Sequence, residues 1–262
     1  MNLIKEILQT LIDVFFYLYP TKKPSEDELS SVKIIAHRGW HDNKIQIENT
    51  MESFTCAYDE GLFGIELDLR WTKDLVPIIH HDEDLNRLWG IERNIDEMTF
   101  DELKALVPQI PSLSSIIDHF GKKMVLFIEL KDSGLKEIEK KKNILKKELE
   151  SLEPSVDFYI ITLDPVIIDL FNIYENSTYL LVAELNISLL SKKTLSKNIG
   201  GLTGHYLLMT DEMKSTHKEI HQKVGTGFIR TKNCAYREIN RHIDWIFTNH
   251  PWNLKSLLKP RR

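Results

Sequence analysis

Four short stretches of this chain carry side chains that could do chemistry together: His37-Arg38-Gly39, Glu66-Leu67-Asp68, His80-His81-Asp82 and Glu129-Leu130-Lys131. Each ends, or lies near the end of, an apolar run. Residues i and i+2 of a strand project to one face, so Glu66 points with Asp68 and Glu129 points with Lys131. Two carboxylates in an otherwise apolar strand repel each other and lose hydration unless a cation lies between them. A third carboxylate converging from another strand makes a metal ion the economical answer. The all-oxygen set of Glu66, Asp68 and Glu129 selects one hard divalent cation, Mg²⁺ or Ca²⁺. Of the adjacent His80 and His81, only one can face the same side of an extended segment. His81, abutting Asp82, is expected at the site, and His80 toward the helical layer or adjoining loop. Taken singly, a Glu-x-Asp is usually a surface edge or an ion pair and a lone histidine usually packs. Their joint placement is what carries the reading, and His41, His119, His205, His217, His221, His242 and His250 are read as structural.

The elements that must position these residues set the fold. The chain has 262 residues, 42% hydrophobic and 28% charged, close to the roughly 250 residues of a TIM barrel. From residue 32 onward short apolar runs alternate with amphipathic ones, as repeated βα units do. Strands are expected at Val32–His37, Phe63–Leu69, Val76–His81, Met124–Leu130, Val156–Ile161, Tyr179–Ala183, Gly227–Thr231 and Ile243–Phe247. Helices are expected near Asn49–Glu60, Phe100–Leu106, Leu113–Phe120, Leu135–Leu152, Pro165–Tyr174, Asp211–Lys223, Tyr236–Asn240 and Pro251–Leu258. Eight strand runs imply a closed (β/α)8 barrel, whose active sites gather at the C-terminal ends of the strands. His37, Glu66, Asp68, His81, Glu129 and Lys131 all fall there.

Residues 1–31 form a separate N-terminal helix and linker before the 32–262 barrel domain. Leu3, Ile4, Ile7, Leu8, Leu11, Ile12, Phe15 and Phe16 recur at helical spacing, with Lys5, Glu6, Gln9, Thr10 and Asp13 on the other side. Glu6 and Asp13 argue against a secretory signal and a membrane span. A helix capping the barrel floor or packing in a dimer is the plainer reading, with peripheral membrane contact through residues 1–19 as the alternative. Thr21 to Ser31 reads as linker. A net charge of -5 excludes the broad basic surface that nucleic-acid binding needs. Cys56 and Cys234 match neither a metal-ligand spacing nor a disulfide framework, so a cytoplasmic protein, with membrane association at most peripheral, is expected.

The arrangement resembles the glycerophosphodiester phosphodiesterases, in a short form without a large inserted subdomain. The matching residues are Ala36-His37-Arg38-Gly39, Glu48-Asn49-Thr50 with Phe54 and Ala57, Gly61, Ile65 through Leu69, Thr72 and Asp74, Pro77, and His81-Asp82 with Leu85, Arg87 and Gly90. Ile110-Pro111-Ser112-Leu113, Ile128-Glu129-Leu130-Lys131 and Ile246-Phe247-Thr248-Asn249 with Pro251 follow in order. The likeness is dense through residue 131 and thin afterwards.

The resemblance implies a TIM-type barrel that hydrolyses a small-molecule phosphodiester to sn-glycerol 3-phosphate and an alcohol. It makes His37 and His81 the general acid/base pair, and Glu66, Asp68 and Glu129 the metal ligands. It makes Arg38 and Lys131 phosphate contacts, and Glu48 and Asn49 orienting or substrate-contacting residues. The chemistry needs these types: an anionic diester must be neutralised before attack, and imidazole can both remove and return a proton near neutral pH. The same residues would serve a lysophospholipase D or phospholipase-like enzyme, or a silent barrel that binds phosphate ligands. Two positions depart from the family pattern. Ile47 stands where a proline often precedes Glu-Asn-Thr, and Arg230 stands where a tryptophan is common, which would favour a second anionic group at the mouth.

Overall fold

The computed structural model describes residues 3–131 and 136–258. Its strands are β1 (Ile34–His37), β2 (Gly64–Trp71), β3 (Pro77–Ile79), β4 (Asp84–Leu85), β5 (Ile91–Asn94), β6 (Val125–Leu130), β7 (Phe158–Thr162), β8 (Tyr179–Ala183), β9 (Gly201–His205), β10 (Lys223–Gly227) and β11 (Trp245–Thr248). Strands β1, β2 and β6 to β11 run parallel in sequence order, and β11 pairs back onto β1. These eight strands close the expected (β/α)8 barrel, with helices between them and an N-terminal helix, Leu3–Leu18, added outside.

The barrel has the expected strand number but not the expected members. Val76–His81 is not a barrel stave: β3 pairs antiparallel with the end of β2, Leu69 opposite Ile79 and Trp71 opposite Pro77. The connection is the tight turn Thr72 to Val76, in which the Thr72 N–H bonds the Val76 carbonyl and the Thr72 hydroxyl donates to Asp74 at 2.6 Å. A turn this short can only reverse the chain, because a parallel crossover needs a dozen or more residues. The missing stave is β9, which has no apolar run to reveal it. Gly201 is needed there because a Cβ would lie 2.3 Å from the Lys223 carbonyl oxygen of β10. The run expected at Gly227–Thr231 begins where β10 ends, and the helix Ile187–Ser196 preceding β9 was likewise not foreseen. The helix expected over Leu135–Leu152 spans Ile138–Glu148; Leu135 lies outside the described residues.

Inside the barrel, Phe127, Tyr159, Trp245 and Phe247 interlock, with Phe127 5.1 Å from both Trp245 and Phe247 and Tyr159 4.9 Å from Trp245. These rings fill the lower barrel and, with Ile35, Ile161 and Leu180, leave a dry floor beneath the polar residues at the strand ends. Outside it, a second core packs the other strand faces against the helices.

The N-terminal helix is not on the floor. Asn233 donates from Nδ2 to the Phe16 and Tyr17 carbonyls at 3.0 and 3.1 Å, Phe16 packs edge-on against Tyr206, and Asp13 Oδ2 lies 3.6 Å from Arg230 Nη1. Tyr206 directly follows β9 and Arg230 follows β10, so the helix sits at the rim of the mouth. The stretch expected as linker contains a helix, Glu26–Ser31, started by a capping box between Ser25 and Glu28. Phe16 and Leu29 are buried in the core that packs the barrel's helices. Among the described residues no helix is long and apolar enough to cross a membrane.

Candidate active site

Register assembles the site. His37 is opposite Glu66 across β1 and β2, and Asp68 is opposite Glu129 across β2 and β6. Two neighbouring pairings thus bring residues 92 positions apart in sequence, from His37 to Glu129, onto one arc of the mouth. Carboxylate oxygens of Glu66, Asp68 and Glu129 lie within 4.8 Å of one another, and all three residues are buried. Beyond His37 the chain turns sharply: Arg38 takes a left-handed φ of 58° and Gly39 one of 84°. A Cβ at Gly39 would lie 2.4 Å from Ser53 Oγ, on the helix Met51–Asp59, so only glycine fits this approach. The turn aims the Arg38 N–H at Glu66, 3.0 Å from Oε2.

Arg38 is the hub of an alternating charge network. Its Nη1 donates to Glu48 Oε1 at 3.0 Å and its Nε lies 3.2 Å from Asp68 Oδ2. Glu48 also accepts from Asn43 and, at 2.6 Å, from Arg87 Nη2. Arg87 Nε reaches Asp82 Oδ2 at 2.5 Å, and Asp82 Oδ1 holds His81 Nδ1 at 2.7 Å. On the far side Lys131 Nζ lies 2.8 Å from Asp68 Oδ1 and donates to Glu129. Asn49, itself left-handed with φ 56°, donates to Asp68 Oδ2 at 2.8 Å. Glu48 and Asn49 therefore orient Arg38, Arg87 and Asp68. Arg38 and Lys131 keep donors beyond those bonds, since guanidinium has five N–H groups and ammonium three.

The electrostatics follow from burial against partners. Burial alone would raise Glu48, but the Arg87 hydrogen bond, the Arg38 charge and the Asn43 amide hold it at about 2. Burial is likewise overcome at Asp68, where Lys131 and Arg38 keep the carboxyl ionised. Glu66 and Glu129 are pushed up by burial and by the Asp68 charge. Glu66 Oε1 is buried without a hydrogen bond to any described residue, an oxygen that a hard cation would satisfy. This donor set fits one divalent ion.

The two expected catalytic histidines are both at the mouth, with side chains 30% and 31% exposed and so open to a ligand. His37 Nε2 is 3.7 Å from Glu66 Oε2, and burial lowers its pKa to about 3. His81 is lowered by burial against the pull of Asp68. Its Nδ1 contact with Asp82 leaves Nε2 as the free ring nitrogen. His80 is buried, with Nδ1 3.0 Å from the Asp82 carbonyl. Asp82 and Arg87, named in the sequence without a role, hold His81 and Glu48 in place, and Arg70, which the sequence reading leaves out, donates from Nε to the His81 carbonyl at 2.8 Å. Arg70 was readable as the next i+2 residue after Asp68 on the same strand face. Arg230, where a second anionic group would be favoured, lies 3.6 Å from Asp13 of the N-terminal helix.

Residues 37–225 match the model of the Glycerophosphoryl diester phosphodiesterase family. The chain belongs to that family. Among its family relatives, a glycerophosphodiester phosphodiesterase of Bacillus altitudinis is 44% identical over 72 residues, covering 28% of this chain and 29% of that protein. One from Caldanaerobacter subterraneus is 36% identical over 114 residues, covering 39% of this chain and 46% of the relative. The matched stretches thus span less than half of either relative. Among solved structures, the glycerophosphodiester phosphodiesterase of Thermotoga maritima superposes with a TM-score of 0.72 at 23% identity, over 88% of this chain and 98% of that one. An Oleispira antarctica phosphodiesterase in complex with the product sn-glycerol-3-phosphate gives 0.74 at 22% identity, over 88% and 98%. The family's barrel is thus shared along nearly the whole length of both.

Proposed function

We propose that this chain is a metal-dependent phosphodiesterase that hydrolyses glycerophosphodiesters to sn-glycerol 3-phosphate and an alcohol. The observation that carries the reading is the buried triad of Glu66, Asp68 and Glu129 flanked at the open mouth by His37 and His81. Membership of the family and the product held by the Oleispira antarctica relative support the substrate class. Glu66, Asp68 and Glu129 would hold one Mg²⁺ or Ca²⁺, which when bound neutralises a phosphate oxygen as a Lewis acid. Arg38 and Lys131 bind the diester's remaining charge through the donors they keep beyond the carboxylates. His37 stands beside Glu66 at the mouth and Asp82 orients His81, so each imidazole is placed to meet a ligand. One imidazole deprotonates the nucleophile and the other protonates the leaving alkoxide. The nucleophile can be the glycerol hydroxyl beside the phosphate, giving a cyclic phosphate that water opens with the two histidines exchanging roles.

Two free thiols, Cys56 and Cys234, suit a reducing cytoplasm. A second reading, hydrolysis of lysophospholipids, is favoured by the apolar side chains exposed around the mouth, among them Leu185 and Phe228. The test is to incubate the protein with glycerophosphocholine, glycerophosphoethanolamine, glycerophosphoglycerol and a lysophospholipid, with Mg²⁺, Ca²⁺ or EDTA. Metal-dependent release of sn-glycerol 3-phosphate from the soluble diesters is expected. Turnover of the lipid alone moves the assignment to the second reading, and phosphate binding without turnover of any diester makes the barrel a silent binder.

A further inference from the structure

Most of the exposed large apolar side chains gather at one end of the barrel. Ile45 follows β1, Leu163 and Val166 follow β7, Leu185 and Leu189 follow β8, Leu207 follows β9 and Phe228 follows β10. All lie on the side where the candidate site opens. Ile45 at 93% and Leu185 at 83% are almost wholly in solvent. The N-terminal helix adds Leu11, Val14, Phe15 and Leu18, exposed and spaced i, i+3, i+4, i+7, so they form a single stripe along it. The helix is fixed to the same rim from its other side, through Asp13 to Arg230 and Phe16 to Tyr206. Single exposed apolar residues are ordinary, but a ring of them around an opening together with an amphipathic helix marks an interaction surface.

We propose that the mouth rim and the N-terminal helix stripe together dock on a lipid bilayer, holding the opening of the site against the headgroups. The choice of occupant rests in part on the phosphodiesterase reading. A second protein copy seated on this ring would seal the opening, whereas a bilayer covers the ring and also presents phosphodiesters to it. The local chemistry agrees. Tyr17 and Tyr19 are exposed at the end of the stripe, where rings with one polar end suit the membrane boundary. Lys44 and Lys192 are exposed beside Ile45 and close to Leu189, in position for anionic headgroups. Two rim acids are turned to the backbone: Asp42 Oδ1 accepts from the N–H groups of Lys44, Ile45 and Gln46, and Asp164 caps Val166. Glu184 and Glu83 stay exposed, Glu83 at 3.8 Å from Arg70.

The test is flotation of the full chain with vesicles of phosphatidylcholine containing phosphatidylglycerol, and with phosphatidylcholine alone. Binding is read without turnover, so a failure of docking and a failure of the phosphodiesterase reading are seen separately. The wild type is expected to float with the mixed vesicles. A variant carrying Leu11→Ser, Phe15→Ser and Leu18→Ser should lose about tenfold or more in partition, while keeping its melting temperature and its turnover of a soluble diester. Leu185→Ser with Phe228→Ser should weaken partition by less. No flotation of the wild type, or equal flotation of the helix variant, overturns the proposal. So does a solution dimer that the helix variant dissolves while no protein floats; the stripe is then an interface between copies.

Discussion

The two arcs of the barrel mouth could hardly differ more. Strands β1, β2 and β6 bring His37, Glu66 with Asp68, and Glu129 to the mouth, whereas β7, β8, β9, β10 and β11 end in Thr162, Ala183, His205, Gly227 and Thr248. The first arc holds buried carboxylates interleaved with Arg38 and Lys131. The second is aromatic beneath and apolar at the rim. On the proposed function the contrast is a division of labour: one arc would supply the reacting and metal-holding groups, and the other the wall, the floor and the surface that meets the substrate's surroundings.

Substitutions on the charged arc should give the largest effects on rate. His37→Ala and His81→Ala should each cost about 10²–10⁴-fold in kcat, with unchanged melting temperatures. Near-normal turnover in either variant removes that residue from the acid/base pair. Next in size is the floor of the opposite arc, where Trp245→Ala opens a cavity and should cost about 3–5 kcal/mol of stability, read by chemical denaturation. A loss of activity without a loss of stability there would break the division between the arcs.

Metal removal sharpens it further. Glu66 and Glu129 are raised above 4.5 in the folded chain, so they hold protons that the unfolded chain has released. Their contribution to stability is present below 4.5 and is lost as pH rises through the raised values. Asp68 is shifted the other way, and its contribution is lost only as pH falls below its ordinary 3.8. The EDTA-treated protein should therefore lose thermal stability from mildly acidic to neutral pH, Mg²⁺ or Ca²⁺ should restore it, and Glu66→Gln should flatten the slope. A metal-free melting curve with equal pH dependence in wild type and Glu66→Gln would contradict the electrostatics of the cluster. The smallest of these effects is expected from Arg87→Ala, which frees Asp82 and Glu48 together and should lower kcat by up to about a hundredfold through misplacement of His81 and Arg38. A change confined to KM would instead make Arg87 a substrate contact.

The same division explains what could be read in advance. The charged arc was legible because strand periodicity pairs Glu66 with Asp68 and Glu129 with Lys131, and because polar residues at the ends of apolar runs are conspicuous. The wall was not, since β9 is Gly201-Leu202-Thr203-Gly204-His205, a strand whose Gly201 answers to the neighbouring backbone and Gly204 to the Ile187 side chain rather than to a hydrophobic pattern. His81 reaches the mouth on a hairpin arm, a placement set by the brevity of the Thr72–Val76 turn. Asp82 and Arg87 belonged to the recognised motif, yet their positioning role emerges only from the fold, where Arg87 bridges to Glu48, 39 residues away. The rim position of the N-terminal helix rests on long-range contacts, Asn233 to the Phe16 and Tyr17 carbonyls, Phe16 on Tyr206 and Asp13 near Arg230, that no local pattern encodes.

The most direct measurement is release of sn-glycerol 3-phosphate from glycerophosphocholine by EDTA-stripped protein as Mg²⁺ or Ca²⁺ is added back, alongside Glu66→Gln and Glu129→Gln. The expected result is no release without metal, saturable recovery with it, and little or no recovery in the two variants. Full release in EDTA, or wild-type recovery in both variants, would contradict a reaction run by the charged arc around a metal held by Glu66, Asp68 and Glu129.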